Sequence, residues 1–347
     1  MKICLSVIIP CRNEVHHLGQ VLADLSSQDY SEPFEVIVAD GMSEDGTREL
    51  LREQQASGRL PFPLQVVDNP NRHIPSGLNL AVAASSGALI VRIDGHSRIG
   101  PDYVHSISLA LQGEAEVAGP RVEPVAGNDT ITARMIALLL ATKLGTGGTP
   151  SRHRLRAPVR VAHTVMSCYR RSVWTTLGGY DERLLSNEDF DFDWRANAAG
   201  FVVQSLPEPV FRLKARTTLG ALAKQRWRYG FWKAAVLRSH PYSLQPRQVA
   251  PVIAPVLLLA VALAAPWAAV TLVLIYMGVA GLSGAHAAWQ ARWPILGVLT
   301  AGLRAPLIYG IIHGAWAAGL VAGGFYHRAV APWPINGSAS SPGMANP

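Results

Sequence analysis

Cysteine is scarce in this chain: its 347 residues include only Cys4, Cys11 and Cys168. They fall in no CxxC-like spacing, which excludes a disulfide framework and a cysteine zinc site. Carboxylates stop altogether at Glu208. Beyond it come twelve Lys or Arg, whereas the first 208 residues hold 19 Lys or Arg against 24 Asp or Glu, a net of −5. The overall charge of +7 therefore hides an acidic front and a purely basic rear. That division excludes a uniformly basic nucleic-acid binder and suggests a soluble domain followed by a region that meets anionic lipid. An export signal is lacking too. The apolar run Ile3–Ile9 is too short for one and ends at Pro10, so a reducing cytoplasm is expected for the front part.

Charge itself is absent from two long stretches, the 44 residues from Gln248 to Ala291 and the 21 from Ala305 to Phe325. A helix needs about 20 apolar residues to cross the hydrocarbon of a bilayer. The first stretch is therefore expected to be a helical hairpin, roughly 249–265 and 267–286, turning at Ala265-Pro266, and the second one more span. A fourth, using Pro294–Ala301, stays open. Arg212–Arg247 and the Arg292–Arg304 connector are basic while the turn at Pro266 is bare, so the positive-inside rule puts the front domain in the cytoplasm. The tail from Ala331 to Pro347, rich in Pro, Gly, Ser and Asn, is expected to be disordered.

The front part carries an α/β pattern. Leu5–Ile9, Glu35–Ala39, Leu64–Val67 and Ala88–Ile93 read as buried parallel strands. Between them, Glu14–Leu25 and Gly77–Ala84 have helical spacing. This alternation predicts an open, mostly parallel, Rossmann-like sheet, whose ligands sit at the carboxyl ends of the strands. Pro10–Glu14, Asp40–Thr47 and Asp94–His96 fall there. Farther on, Arg152–Arg160 reads as a basic loop, Val161–Tyr169 as a strand, and Glu188–Gly200 as a helix capped by Ser186 or Asn187.

Each of these segments has a chemical reading beside a plainer one. Asp40 follows a strand and suits a base edge or ribose hydroxyls; the plainer reading is a turn with capping by Ser43 and Asp45. Asp94 and His96, two residues apart, can reach one divalent ion bridging a diphosphate, or simply form a polar turn. Glu188, Asp189, Asp191 and Asp193 crowd four carboxylates into six residues, which can raise one pKa towards a base; alternatively, they are anions favourably placed at a helix N-terminus. Thr217–Arg238 reads as a basic, aromatic interface helix, on which Gln225 and Arg228 can also hold phosphate oxygens.

As an ordered set, from Ser6-Val7-Ile8-Ile9-Pro10-Cys11-Arg12-Asn13-Glu14 through the Asp40–Thr47 segment, Gly77-Leu78-Asn79, Asp94-Gly95-His96, Gly178–Glu182 and Glu188-Asp189 to Gln225–Tyr229, the chain resembles the family 2 glycosyltransferases of GT-A fold. The likeness covers residues 3 to 235 and is greatest to the membrane-bound branch building succinoglycan-type exopolysaccharides on polyprenyl carriers. In two places it departs: His96 stands where the family's DxD motif has its second Asp, and Tyr229 where its QxxRW motif has Trp.

The resemblance implies a donor nucleotide held by Pro10, Asn13, Glu14, Asp40, Gly77, Asn79 and Asp94, with Mg²⁺ or Mn²⁺ on Asp94 and His96. It implies Asp189 as catalytic base, and Glu188, Gln225, Arg228 and Tyr229 at the acceptor or diphosphate. The expected reaction is inverting transfer from a nucleotide sugar, by default a UDP-hexose, to a lipid-linked acceptor such as a polyprenyl-diphosphate sugar. Direct transfer to polyprenyl phosphate, a glycerolipid or a sphingolipid is the neighbouring reading; a non-catalytic membrane scaffold is the reading from another class. The expected division is a GT-A domain over 1–240 ending in the interface helix, membrane spans over 241–328, and the tail over 329–347.

Overall fold

The computed structural model describes residues 4–329, so the tail expected to be disordered lies outside the described residues. The chain divides into two compact units, residues 4–123 with 153–213, and residues 124–152 with 214–329. The helix expected to close the catalytic domain near residue 240 groups, by this division, with the apolar helices.

In the first unit β1 (Leu5–Cys11), α1 (Val15–Ser26), β2 (Phe34–Asp40), α2 (Thr47–Ser57), β3 (Leu64–Asp68), α3 (Ile74–Ala84), β4 (Leu89–Arg92), α4 (Tyr103–Gln112) and β5 (Val117–Val125) follow one another. After an excursion into the second unit through α5 (Ile131–Leu140) and α6 (Lys143–Thr146), the chain returns with β6 (Val159–Arg160), β7 (Cys168–Arg170), α7 (Arg171–Leu177), α8 (Glu188–Ala198) and β8 (Val203–Lys214). The sheet order is β3-β2-β1-β4-β7-β5-β8-β6. β3, β2, β1 and β4 pair in parallel, with Val7 opposite both Val36 and Val91. β7 then runs antiparallel to β4 and β5, and β6 to β8.

Both faces of β1 are covered, which is why it reads as an unbroken apolar run. Leu5, Val7 and Ile9 pack with Leu18, Val21 and Leu22 of α1 and Ile107 of α4. Ile8 faces the other way, into a cluster with Leu78 and Val82 of α3 and Phe192 of α8. Each such fully buried side chain contributes about 1.5–3 kcal/mol. Two boundaries differ from expectation. Helix α3 begins at Ile74 rather than Gly77, because Pro75 suits a first helical turn. Of the single strand expected over Val161–Tyr169 only Cys168 and Tyr169 are strand, at the start of β7; residues 161–167 form a loop after β6.

The second unit adds α9 (Leu219–Ser239), α10 (Pro246–Ala264), α11 (Pro266–Gln290) and α12 (Ile295–Ala329). Its core joins Met135, Ile136 and Leu139 of α5 to Leu222 of α9 and to Ile308 and Tyr309 of α12. Among the described residues α10, α11 and α12 are the three helices long and apolar enough to cross a membrane. Leu257, Leu263, Trp267, Leu274 and Leu282 stand largely exposed on them, as side chains facing lipid would. The hairpin turns at Ala265 as predicted, whereas Pro294–Ala301 leads into α12, which runs on through Pro306. Helices α9 and α12 approach backbone to backbone: a Cβ at Gly230 would overlap the Trp316 carbonyl, and one at Gly319 the Trp227 carbonyl. Small residues at such crossings are characteristic of helices packed in lipid.

Candidate active site

The loops that leave β1 and β2 at their carboxyl ends are laced together. Asn13, in the left-handed region at φ 57°, donates its N–H to Ser43 Oγ at 2.8 Å and accepts from Glu44 N–H at 3.0 Å. The Glu14 N–H donates to Thr47 Oγ1 at 2.9 Å, and the Val15 N–H to Asp45 Oδ2 at 3.1 Å. Ser43 and Asp45 thus hold the two loops in register, close to their plainer reading. Asp40 is fully buried. It accepts from Ser43 Oγ at 2.5 Å, Ser43 N–H at 3.1 Å and Arg48 Nη1 at 3.1 Å, while the same Arg48 holds Asp68 at 2.8 Å.

Above this floor lies a cleft lined by Pro10, Cys11, Arg12 and Glu14, by Gly41, by Asn69, Arg72, His73 and Ile74, and by Asp94 and His96. It mixes two carboxylates with two guanidinium groups, a suitable lining for a sugar nucleotide bridged by a cation. Glu14 Oε1 lies 2.9 Å from His96 Nδ1, and its Oε2 is 3.2 Å from His17 Nδ1. Burial, with Asp40 adding to it, pushes the Cys11 thiol far up, so Cys11 stays protonated and is no nucleophile.

Arg92, buried at the end of β4, joins this cleft to the acidic helix. Its Nε donates to Asp94 Oδ1 at 3.3 Å and its Nη2 to Glu188 Oε1 at 3.2 Å. Burial alone would depress the guanidinium, but Asp94 and Glu188 outweigh it and its pKa rises. On Glu188 burial dominates; with the charge of Asp189 added, and Arg92 opposing, its carboxyl is pushed up to about 7.

The four carboxylates of α8 have separate occupations. Glu188 faces Arg92, and Asp191 pairs with Arg195 at 2.8 Å. Asp193, wholly buried, takes His163 Nδ1 at 2.8 Å, the Thr164 N–H at 2.9 Å and Ser167 Oγ at 2.9 Å. These bonds fix the loop between β6 and β7. Asp189 accepts only from the N–H of Phe190, at 2.8 Å, and pairs with no cationic side chain among the described residues.

Of the predicted donor residues, Pro10, Glu14 and Asp94 line the cleft, Asp40 lies beneath it and Asn13 ties its loops. Gly77 and Asn79 do not line it. A Cβ at Gly77 would press on Asn69 Nδ2 at 3.0 Å, so this glycine lets α3 approach the sheet. Asn79 donates to the Tyr180 carbonyl at 2.9 Å and to Glu182 Oε1 at 3.0 Å, and accepts from the Tyr180 N–H at 2.8 Å. Its amide is committed to holding the Gly178–Glu182 turn. Gln225, Arg228 and Tyr229 stand on α9 in the second unit, where Gln225 Nε2 donates to the Tyr229 hydroxyl at 3.3 Å.

No group of three or more His, Cys, Asp or Glu converges to hold a metal among the described residues. Asp94 and His96 both line the cleft and would be the residues to hold an ion of the Mg²⁺ or Mn²⁺ kind there. Sequence reasoning missed Arg92, Arg72 and His73. Arg92 left a signal: one cation inside the apolar strand Leu89-Ile90-Val91-Arg92.

The pattern of Glycosyl transferase family 2 matches residues 6–178. The chain is 29% identical over 322 residues to the succinoglycan biosynthesis protein ExoA of Rhizobium meliloti, covering 90% of this chain and 92% of that one. Glycosyltransferase AglE of Haloferax volcanii is 26% identical over 237 residues, 65% of this chain and 71% of its own. Among solved structures, the mannosyltransferase PcManGT of Pyrobaculum calidifontis, in complex with GDP-Man and Mn²⁺, aligns with a TM-score of 0.59 at 17% identity, covering 94% of this chain and 88% of that one. Through residues 6–178 the chain belongs to glycosyl transferase family 2, as a glycosyltransferase of the exopolysaccharide and glycolipid type.

Proposed function

We propose that the chain transfers one sugar, with inversion, from a nucleotide donor seated in the cleft to a lipid-linked acceptor such as a polyprenyl-diphosphate sugar. The observation that carries this reading is the junction at Arg92, where one buried guanidinium holds the cleft carboxylate Asp94 at 3.3 Å and Glu188 at 3.2 Å. Asp189, the next residue, is the member of its cluster with no cationic partner. In the proposed step an acceptor hydroxyl oxygen bonds to the anomeric carbon while the bond from that carbon to the diphosphate oxygen breaks. Asp189 takes the hydroxyl proton, and the nucleoside diphosphate departs. Arg12 and Arg72 face the phosphates; Asn13 and Asp40 keep the nucleotide loops in place. Asp94 and His96 would hold Mg²⁺ or Mn²⁺, which when bound neutralises charge growing on the diphosphate.

The lipid-borne acceptor is supported by three bilayer-length helices on the same chain. We take residues 1–240 as the catalytic part and 241–328 as the membrane part. The basic flanks of the helices and the uncharged Ala265-Pro266 turn support a cytoplasmic catalytic side. The test is direct: purified full-length protein receives a panel of UDP- and GDP-sugars with membrane lipid extract, and the labelled lipid is identified by mass. Label on a diphosphate-linked lipid glycoside, lost with EDTA, is expected. Label on lipid phosphate or a glycerolipid would move the acceptor assignment, and no labelled lipid with any donor would end the proposal.

A further inference from the structure

His96 stands where the family resemblance sets a second carboxylate beside Asp94, and the same resemblance places Glu14 at the donor nucleotide. The structure gives Glu14 a different occupation. Its side chain is only 19% exposed and meets a histidine on each oxygen. His96 Nδ1 lies 2.9 Å from Oε1, and His17 Nδ1 lies 3.2 Å from Oε2. The backbone beneath is fixed as well, the Glu14 N–H donating to Thr47 Oγ1 at 2.9 Å. The turn that carries His96 comes this close because residue 95 is glycine. A Cβ there would stand 3.0 Å from Cys11 Cβ and 3.2 Å from Glu14 Cγ. Glu14, Asp94 and His96 line one cleft.

A carboxylate only accepts, so Nδ1 of His96 carries the shared hydrogen. A neutral ring bonded in this way has its lone pair on Nε2, and Glu14 sets the direction in which the ring points. Histidines that ligate metals are commonly held by a carboxylate on the other ring nitrogen, and loss of that partner costs about 10–100-fold in metal affinity. The imidazole also changes which ion suits the cleft. Mg²⁺ prefers oxygen ligands, so replacing a carboxylate by a ring nitrogen disfavours it more than a transition ion such as Mn²⁺. We propose that Glu14 is a positioning residue for His96, and that the pair tunes the cleft for Mn²⁺ over Mg²⁺. This rests on the reading of Asp94 and His96 as the residues that hold the ion; the bond from His96 to Glu14 stands apart from that reading.

The full chain, purified in detergent and stripped of metal, is titrated with MnCl₂, alone and with UDP or GDP. Free Mn²⁺ is read by electron paramagnetic resonance against a protein-free blank, and MgCl₂ is then added as competitor. Glu14→Ala should weaken Mn²⁺ binding about 10–100-fold. Glu14→Gln, whose amide oxygen still accepts from Nδ1, should recover part of that loss, and it carries the same test if the alanine variant does not fold. His96→Asp should lower the ratio of Mn²⁺ to Mg²⁺ affinity several-fold, as oxygen replaces nitrogen. Because Glu14 acts through His96, adding Glu14→Ala to His96→Asp should cost nothing further. An equal loss in that background would make Glu14 a direct ligand and overturn the positioning role. An unchanged ratio in His96→Asp overturns the preference for Mn²⁺. Parent protein that takes up no Mn²⁺ under any of these conditions removes the metal reading of Asp94 and His96 altogether. Uptake that neither Glu14 variant alters removes the role of Glu14 alone.

Discussion

The two units treat charge in opposite ways. In the first, nearly every buried carboxylate has a partner: Asp40 has Arg48, Glu188 has Arg92, Asp191 has Arg195, Asp193 has His163. In the second, cations outnumber carboxylates fourteen to one, and the buried Lys233 donates to the carbonyl and hydroxyl oxygens of Ser243, each at 3.1 Å. A unit that balances its charges internally holds a rigid pocket ready for a ligand. A unit that does not leaves its cations to solvent and to whatever anionic surface it meets. Within α8 the difference singles out Asp189, the half-buried carboxylate of that helix with no cationic partner among the described residues.

The largest effect expected from that exception is kinetic. Asp189→Asn should lower kcat by about 10²–10⁴-fold, the usual contribution of a general base, with the donor KM unchanged. Asp193→Asn is the contrast. It leaves three donors around a weaker acceptor and should cost roughly 1–3 kcal/mol of stability, seen in thermal unfolding. If Asp193→Asn stops turnover in a protein of normal stability while Asp189→Asn turns over normally, the division of labour on α8 is reversed.

A smaller effect tests whether internal charge balance stabilises the first unit. Arg92→Met leaves Asp94 and Glu188 facing each other without a cation, and breaking a buried pair from one side costs about 3–5 kcal/mol. Adding Glu188→Gln to Arg92→Met should recover much of the loss, because the stranded charge is then gone. A single variant as stable as the parent would mean that the arginine is solvated and the junction no more than a surface contact.

Much of this was legible in the sequence, for physical reasons that can be named. Leu5–Ile9 and Glu35–Ala39 announce themselves because strands covered on both faces need apolar residues at every position. The gathering of Asn13, Glu14, Asp40, Asp94 and His96 follows from the rule that parallel sheets present ligands at their carboxyl edge. What stayed hidden depends on partners distant in the chain. Arg92 meets Glu188 across 96 residues, and no periodicity reports that. Asn79 sits beside the predicted donor segment, yet the Gly178–Glu182 turn claims its amide. The four carboxylates of α8 look alike in a row; only the fold shows that three are occupied.

The subtlest test concerns Glu188. Its carboxyl, buried and beside Asp189, is raised to about 7 in the folded protein, while in the unfolded chain it keeps a pKa of about 4.3. Between those values the folded state holds a proton that the unfolded state has released. Stability from this group is therefore fully present below the unfolded pKa and is lost as pH rises through 7. Other groups titrate as well, and burial raises the Asp193 carboxyl too, so the parent's profile alone decides nothing. Glu188→Gln resembles the protonated form and removes this titration while leaving the groups distant from Arg92 as they are. The difference in stability between parent and variant isolates the one group. That difference should shift in favour of the glutamine protein between pH 5 and pH 8; two curves that stay parallel would mean that Arg92 keeps Glu188 ionised throughout, and that the junction is a fully charged pair.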